Sequence, residues 1–445
     1  MPTSRYTEIV DDLSQAIRDG RLSPGTRLPT HRDLASQHGI ALATATRVYA
    51  CLARAGLVVG EPGRGTYVRD QGGYGGLDGR RIPPASRVAD LSFNQPLAAD
   101  QAEQLREALR QLAATGDLQS VLTQHSPGGQ STQKATVATY LLDRGIDVPP
   151  DNVILTAGSQ HGLDIALRML ARPGAIIAVD ELTYPGLKLL AEDRALELAT
   201  FPSDPDGPDL DALASMCSRR RVAAIYTIPT LHNPLGYTLS SHQRAQLAEI
   251  ARGCDCAVIE DGTYAFLEPQ SGPPIYALAP ERTVHVASLS KNLATGLRFG
   301  FNVVPTQHIS RAKEAVRTSS WGTSSLVSAL ATAWLADGTV SRLERSRRAD
   351  AEKRQRIAHS TFEGLNYRAN ASSYYGWLRL FEEARSDQIA HVLAEEGILV
   401  STGEAFCVTS HPPNALRLAL GTPPLSDLTK ALHRVRHVVL EAAMW

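Results

Sequence analysis

The chain has 445 residues, room for about two or three domain-sized units. Hydrophobic residues make up 43% of it, and 45 basic residues face 46 acidic ones, which excludes a disordered chain and a wholesale polycation but not a local basic patch. Five cysteines, at 51, 217, 254, 256 and 407, form no disulfide framework, so a reduced, cytoplasmic chain is expected. Cys254-Asp255-Cys256 has no second pair at zinc-like spacing, and no metal site is expected. The first residues run into Glu8, Asp11 and Asp12 rather than an apolar leader, and no run of about 18 apolar residues occurs, so no membrane span is expected.

Residues 1–69 read as a self-contained unit. Ile9, Leu13, Ala16 and Ile17 lie at helical spacing within Tyr6 to Asp19. Thr30 can cap a second short helix, His31 to His38, and Gly39-Ile40 makes a turn into a third, roughly Ala43 to Ala55. Gly56-Leu57-Val58-Val59 and Gly65-Thr66-Tyr67-Val68 flank the tight Glu61-Pro62-Gly63-Arg64 turn as two short strands. Three helices and a hairpin, with a short turn between the second and third helices, make a winged helix-turn-helix pattern.

Residues 70–89, rich in Gly and holding Pro83-Pro84, read as a linker. From 90 to 445 helical patterns alternate with apolar runs at 153–155, 175–179, 223–226, 257–259, 284–287 and 300–304. Such runs predict strands buried on both faces of a mostly parallel sheet with helices around it, an α/β domain. From about 340 an Arg-rich helix, Arg342 to Ile357, leads to a small α+β subdomain with strands near Trp377–Phe381 and Leu416–Leu420. The arginines of that helix, interleaved with Glu344, Asp350 and Glu352, read as a solvated face.

Lysine occurs only at 134, 188, 291, 313, 353 and 430, so lysine chemistry has six candidates. In Ser288-Leu289-Ser290-Lys291 a lysine follows a buried strand and can be desolvated, the condition that makes an amine a carbonyl nucleophile. The other five fall on charged helical faces or in polar loops, where solvation is expected. Leu155 to Leu163 reads as a strand end, a Gly turn and a helix start, whose backbone amides make an anion site. Asp261 leaves the carboxyl end of another strand, where it can serve either as partner of a ring nitrogen or as a helix cap.

Together these pieces resemble the class I and II aminotransferases, pyridoxal-phosphate enzymes of fold type I, over about residues 90 to 445. The resemblance implies pyridoxal 5'-phosphate as cofactor and Lys291 as the Schiff-base (aldimine) lysine. Asp261 would face the pyridine nitrogen and hold it protonated. Asn233 and Tyr264 would bond the ring hydroxyl, and Tyr184 would stack on the ring. Ser159, Gln160, Ser288 and Arg298 would hold the phosphate, and Arg417 the α-carboxylate of an amino acid. Catalytic roles would fall to Lys291, Asp261 and Tyr264. Where the family carries a Tyr that reaches the partner subunit's cofactor, Gln124 stands. That departure weighs against efficient transamination more than against cofactor binding.

Residues 1–69 resemble the GntR-type winged helix through Leu28-Pro29-Thr30, Arg32, Leu34-Ala35, Gly39, Thr44, Tyr49, Leu52 and Gly63 to Thr66. Thr30, Arg32, Thr44, Thr46 and Arg47 would then meet double-stranded DNA, and Arg64 in the wing would reach the minor groove. Family members commonly carry Ser-Arg where Ala41-Leu42 stands. The whole chain is similar to the MocR-type transcriptional regulators. That likeness implies a domain-swapped homodimer on paired half-sites, sensing an amine, an amino acid or the cofactor itself; the other reading is a working aminotransferase with a relic head.

Overall fold

The computed structural model describes residues 5–18, 21–23, 25–54, 57–61, 65–68, 89–96, 100–204, 206–382 and 384–442. The linker expected at 70–89 lies outside them up to residue 88, as does Arg64. Among the described residues no helix is long and apolar enough to cross a membrane, and no cluster of His, Cys, Asp or Glu can hold a metal ion.

The N-terminal head has helices Arg5–Arg18, His31–His38 and Leu42–Arg54, and strands Val58–Glu61 and Gly65–Val68 paired antiparallel with Val58 opposite Val68. Ile9, Ile17, Leu34, Val48, Leu52 and Val68 meet in its core. Thr30 caps the second helix: the Asp33 N–H donates to Thr30 Oγ1 at 3.2 Å, and Thr30 Oγ1 donates to Asp33 Oδ2 at 2.6 Å. Gly39, at φ +59°, ends that helix in the left-handed conformation. The chain can therefore turn within three residues into the third helix, as glycine's missing Cβ permits.

The large domain is built on seven strands in the order 153–156, 300–303, 283–288, 257–261, 222–227, 176–180 and 197–201. Only 300–303 runs antiparallel to its neighbours. Ile154, Ile177, Ala224, Ile259 and Val286 cover one face of the sheet and Ala178, Ile225 and Val258 the other, all fully buried. A strand apolar on both sides is what a two-sided helical cover requires. The parallel strands share their carboxyl ends, and the loops leaving those ends gather the site.

The small subdomain has a second sheet, in the order 367–368, 375–379, 415–419, 398–402 and 89–91. Its last strand comes from far upstream and pairs parallel, Ala89 opposite Ile398. The subdomain thus takes in residues beyond the expected 340–445. Helix Thr339–Thr361 links the two bodies. Its arginines are not all solvated: Arg354 Nη1 donates to the Leu420 and Pro423 carbonyls at 2.6 and 2.7 Å, and Arg347 Nη2 to Gln101 Oε1 at the start of helix Gln101–Thr115 at 3.1 Å. Two other lysines also depart from expectation. Lys134 is buried against Asp151 at 3.0 Å, and Lys188 donates to the carbonyls of Ala405 and Cys407.

The head rests on the small subdomain of its own chain. The Arg385 guanidinium lies 3.7 Å from the centre of the Tyr67 ring, and Asp387 holds it through Nη2 at 2.9 Å. Gly25 approaches the same corner, where an added Cβ would stand 3.3 Å from Asp387 Oδ2. A desolvated cation on an aromatic face stabilises by about 0.5–2 kcal/mol. Arg385→Ala is therefore expected to quicken hydrogen exchange of the strand Gly65–Val68 several-fold; unchanged exchange would show that this contact does not hold the head.

Candidate cofactor site

One cavity of about 360 Å³ opens at the carboxyl ends of the parallel strands. Ser159, Gln160, Tyr184, Asn233, Asp261, Tyr264, Lys291, Arg298 and Arg417 all line it, although the sequence spreads them over more than half the chain. Ser288 does not. It borders a separate cavity of about 220 Å³, while Ser290 lines the first with its Oγ buried and unpartnered. Phe93 and Asn94 were not anticipated. They precede the large domain and reach the site only through the small subdomain's parallel strand.

Ser159 and Gln160, which open the helix Ser159–Leu170 after Gly158, line the cavity. Gly158 takes φ +86°, and a Cβ there would stand 3.0 Å from Arg298 Nη2. Backbone amides of the first helical turn and the Arg298 guanidinium thus converge on a space that glycine keeps open, a donor set for an anion such as a phosphate. Gln160 Nε2 donates to the Gly186 carbonyl at 2.9 Å, which ties this turn to Tyr184 and Pro185.

Asp261 is buried at the end of strand 257–261. Tyr226 Oη donates to its Oδ2 at 3.0 Å and the Thr263 N–H to its Oδ1 at 2.9 Å. Burial raises its carboxyl above the usual range despite those donors. A cationic ring nitrogen bound beside it would supply the charge that keeps it ionised. Tyr264 receives a hydrogen bond from Asn94 Nδ2 at 3.4 Å, and burial pushes its phenol up to about 12, so it stays a neutral donor at physiological pH. Asn233 Oδ1 is buried without a partner.

Lys291 Nζ donates to the Asn94 carbonyl at 2.8 Å and lies 3.9 Å from the Phe93 ring centre. Burial, then Arg417 and Arg298, lower its amine to about 7. A lysine half neutral near pH 7 is a competent carbonyl nucleophile. Arg417 is buried on strand 415–419 and donates through Nη2 to the Ser92 carbonyl at 2.7 Å, while its Nε has no partner. A buried guanidinium with an idle donor and no bonded carboxylate calls for an anionic ligand. The residues fit pyridoxal 5'-phosphate: an anion cradle, a buried acid for a ring nitrogen, and a depressed amine, all lining one cavity. That cofactor supplies an aldehyde for an amine and a ring that draws electrons from the amine-bearing carbon.

The proposed DNA contacts are divided. Arg32, Thr46 and Arg47 are exposed and Thr44 is half-buried. Arg47 reaches over the Tyr6 ring at 5.2 Å. Thr46 Oγ1 donates to the Leu42 carbonyl at 3.1 Å and meets His31 Nδ1 at 3.2 Å. Thr30 is engaged in its cap, and Leu42, which opens the third helix, is 50% exposed.

Two measurements follow from the geometry. Gly158→Ala fills the cradle and strains a positive φ, so uptake of pyridoxal phosphate should weaken at least about tenfold, read from cofactor absorption in dialysis. The unfolded chain protonates Lys291 near 10.5 and the folded chain near 7. Between those values the unfolded state binds more protons, so stability rises with pH, by at most about 1.4 kcal/mol per unit. Urea unfolding of cofactor-free protein should show a shallower rise in Lys291→Met; equal slopes would contradict a depressed amine.

Comparisons with known proteins agree with the geometry. The aminotransferase class I and II family matches residues 86–435, and the bacterial regulatory proteins of the gntR family match residues 5–68. An uncharacterized HTH-type transcriptional regulator of Bacillus subtilis, YdeF, is 27% identical, with 98% of this chain and 94% of that protein covered. The HTH-type pyridoxine biosynthesis transcriptional regulator PdxR of Corynebacterium glutamicum is 28% identical, with 68% and 67% covered. Among solved structures, the α-aminoadipate aminotransferase LysN of Thermus thermophilus has the same fold at TM-score 0.73 and 22% identity, covering 80% of this chain and 92% of that one. The chain thus belongs to the class I and II aminotransferase family, with a pyridoxal phosphate site behind a gntR-family DNA-binding head in the MocR-type arrangement.

Proposed function

We propose that the chain is a DNA-binding transcriptional regulator whose pyridoxal phosphate domain senses an amine or amino acid and passes that state to the head. The observation that carries this reading is the seam between Arg385 and Tyr67, because it seats the head on the subdomain that also holds Arg417. A carboxylate taken up by Arg417 draws on the sheet against which the helix Ser386–Glu395, capped by Arg385, is packed. Differential affinity of the ligand for two positions of that sheet then becomes a difference in how the head meets DNA.

In this reading the chain's own residues divide the work. Arg298 and the turn at Gly158 would hold the phosphate end, and Asp261, which Tyr226 keeps in place, would hold the ring. Lys291 would meet the cofactor's aldehyde as its amine. Arg417 orients the incoming carboxylate. Arg32, Thr46 and Arg47 present the head's exposed face to the duplex.

A second copy of the chain fits a different surface. Leu122 is 88% exposed, Leu118 47%, Trp321 45% and Leu326 41%, and they belong to two segments whose residues line shared grooves. Exposed apolar residues gathered in this way suit a homodimer, which would present two heads to paired half-sites. Whether the heads exchange between subunits is open to crosslinking at the Arg385 seam.

The name of the Corynebacterium relative adds the cofactor itself as a candidate effector. The second reading, a working aminotransferase, is favoured by the complete set of Asp261, Lys291 and Arg417 in one cavity. Multiple-turnover keto-acid formation by the loaded chain would support it. The regulatory reading predicts salt-sensitive retention of DNA from upstream of its own gene. Arg32→Ala and Arg47→Ala should each weaken that retention and shrink the salt slope by about one. Equal retention of wild type and variants at every salt concentration would count against the head as the DNA-binding element.

A further inference from the structure

We infer that Cys217, Cys254 and Cys256 form an oxidation site, at which a hydroperoxide joins Cys217 to one of its two neighbours as a disulfide. None of the three lines the cofactor cavity. Cys256 leads into strand 257–261 at the end remote from Asp261, so the site adds a chemistry that does not depend on how the cofactor domain is used.

Three segments bring the sulfurs together. Cys217 lies in the last turn of helix Leu210–Arg219, Cys254 ends helix Ser241–Gly253, and Cys256 follows two residues on. Cys217 and Cys256 are buried in one apolar cluster on the large sheet, and Cys254 packs against it. Within that cluster the Cys217 thiol is in hydrogen-bonding contact with those of both Cys256 and Cys254. Asp255, at φ +52°, sends its carboxylate outward to Arg282, while the cysteines on either side of it face Cys217. All five cysteines are free thiols, and no cluster among the described residues can hold a metal ion, so oxidation is the chemistry left to this group. The remaining two are differently placed. Cys51 is the one cysteine of residues 1–69, and Cys407 meets the hydroxyl of Thr409 rather than another thiol.

The three thiols are not equivalent. The hydrogen bond to Cys256, joined by that to Cys254, holds the Cys217 thiol below its ordinary range although burial opposes it. Contact with Cys217 and burial push Cys256 up, and burial followed by Cys217 pushes Cys254 up. The thiolate is the nucleophile, so Cys217 attacks. It keeps 7% of its surface open, beside the partly exposed Cys254. Its sulfur takes one peroxide oxygen: the O–O bond breaks, a sulfenic acid forms, and water or an alcohol leaves with the thiol's proton. A neighbouring thiol then attacks that sulfur; the S–O bond breaks, the S–S bond forms, and water leaves with the neighbour's proton. Two thiols thereby give two electrons to one hydroperoxide. The product ties the last turn of one helix to the turn that feeds strand 257–261.

The test gives the full chain, reduced and desalted, a few equivalents of hydrogen peroxide and counts thiols in denaturant. The count should fall from five to three, and dithiothreitol should restore it. Digestion without reductant should yield Cys217 linked to the segment that holds Cys254 and Cys256, with Cys51 and Cys407 still open to alkylation. Cys51 is partly exposed and serves as the internal control. The crosslink should form at least about tenfold faster than Cys51 oxidises, because thiolate character outweighs exposure. Oxidation of Cys51 first, or no crosslink under peroxide that oxidises Cys51, overturns the inference. In variants that still take up the cofactor, and so are folded, Cys254→Ser and Cys256→Ser should each keep the crosslink and the double variant should lose it. Cys217→Ser should abolish it, with Cys217→Ala as a second replacement. A crosslink that survives both changes at 217 would contradict the assignment of the attacking sulfur.

Discussion

The site depends on two buried cations, Lys291 and Arg417, that have no bonded carboxylate among the described residues. Lys291 and Arg417 come from different bodies, one from the loop after strand 283–288 and one from the small sheet; burial and then Arg417 lower the Lys291 amine, and Arg417 itself keeps an Nε without an acceptor. Holding like charges out of water costs free energy that seven well-packed strands can supply. The cost has a chemical consequence: an amine ready to react near neutral pH and a guanidinium ready for a carboxylate. A ligand bearing both an amine and a carboxylate satisfies both.

Placement follows from topology. Parallel strands send their carboxyl ends to one edge, so Asp261, the loop to Lys291 and the turn at Gly158 arrive together although they are far apart in sequence. The small sheet closes the other side and brings Arg417, and its parallel edge strand Ala89–Leu91 carries Phe93 and Asn94 in behind it. The same small body carries Arg385, on which the head rests. Ligand anchor and DNA-binding head therefore share one support, which gives a physical route between them without a long chain of side chains.

Much of this was legible in the sequence because its signals are local. The head's helices and hairpin showed through apolar spacing, the Thr30 cap and Gly39, and six buried strands showed as apolar runs. The seventh, Glu197–Phe201, did not. It lies at the sheet's edge, and its glutamate and threonine interrupt the run. The three residues of Ala89–Leu91 form a strand only because Ile398–Thr402 is there to receive them. Arg347 and Arg354 looked solvated because charge alternation along a helix does not reveal which carbonyls wait beneath it. Most of the site residues named from motif position line the cavity, whereas Ser288, named with them, borders a separate cavity and Ser290 lines this one. Phe93, Asn94 and Leu189 had no motif to mark them.

The account's central claim is that occupancy of the pocket is felt by the head through the small subdomain. The direct measurement is the affinity of the cofactor-loaded chain for its upstream duplex, by fluorescence anisotropy at fixed salt, with and without a saturating amino acid whose binding shifts the cofactor absorption. A change of several-fold that largely disappears in Arg385→Ala is the predicted result. Identical DNA affinity in both conditions, while the absorption spectrum shows the amino acid bound, would contradict it.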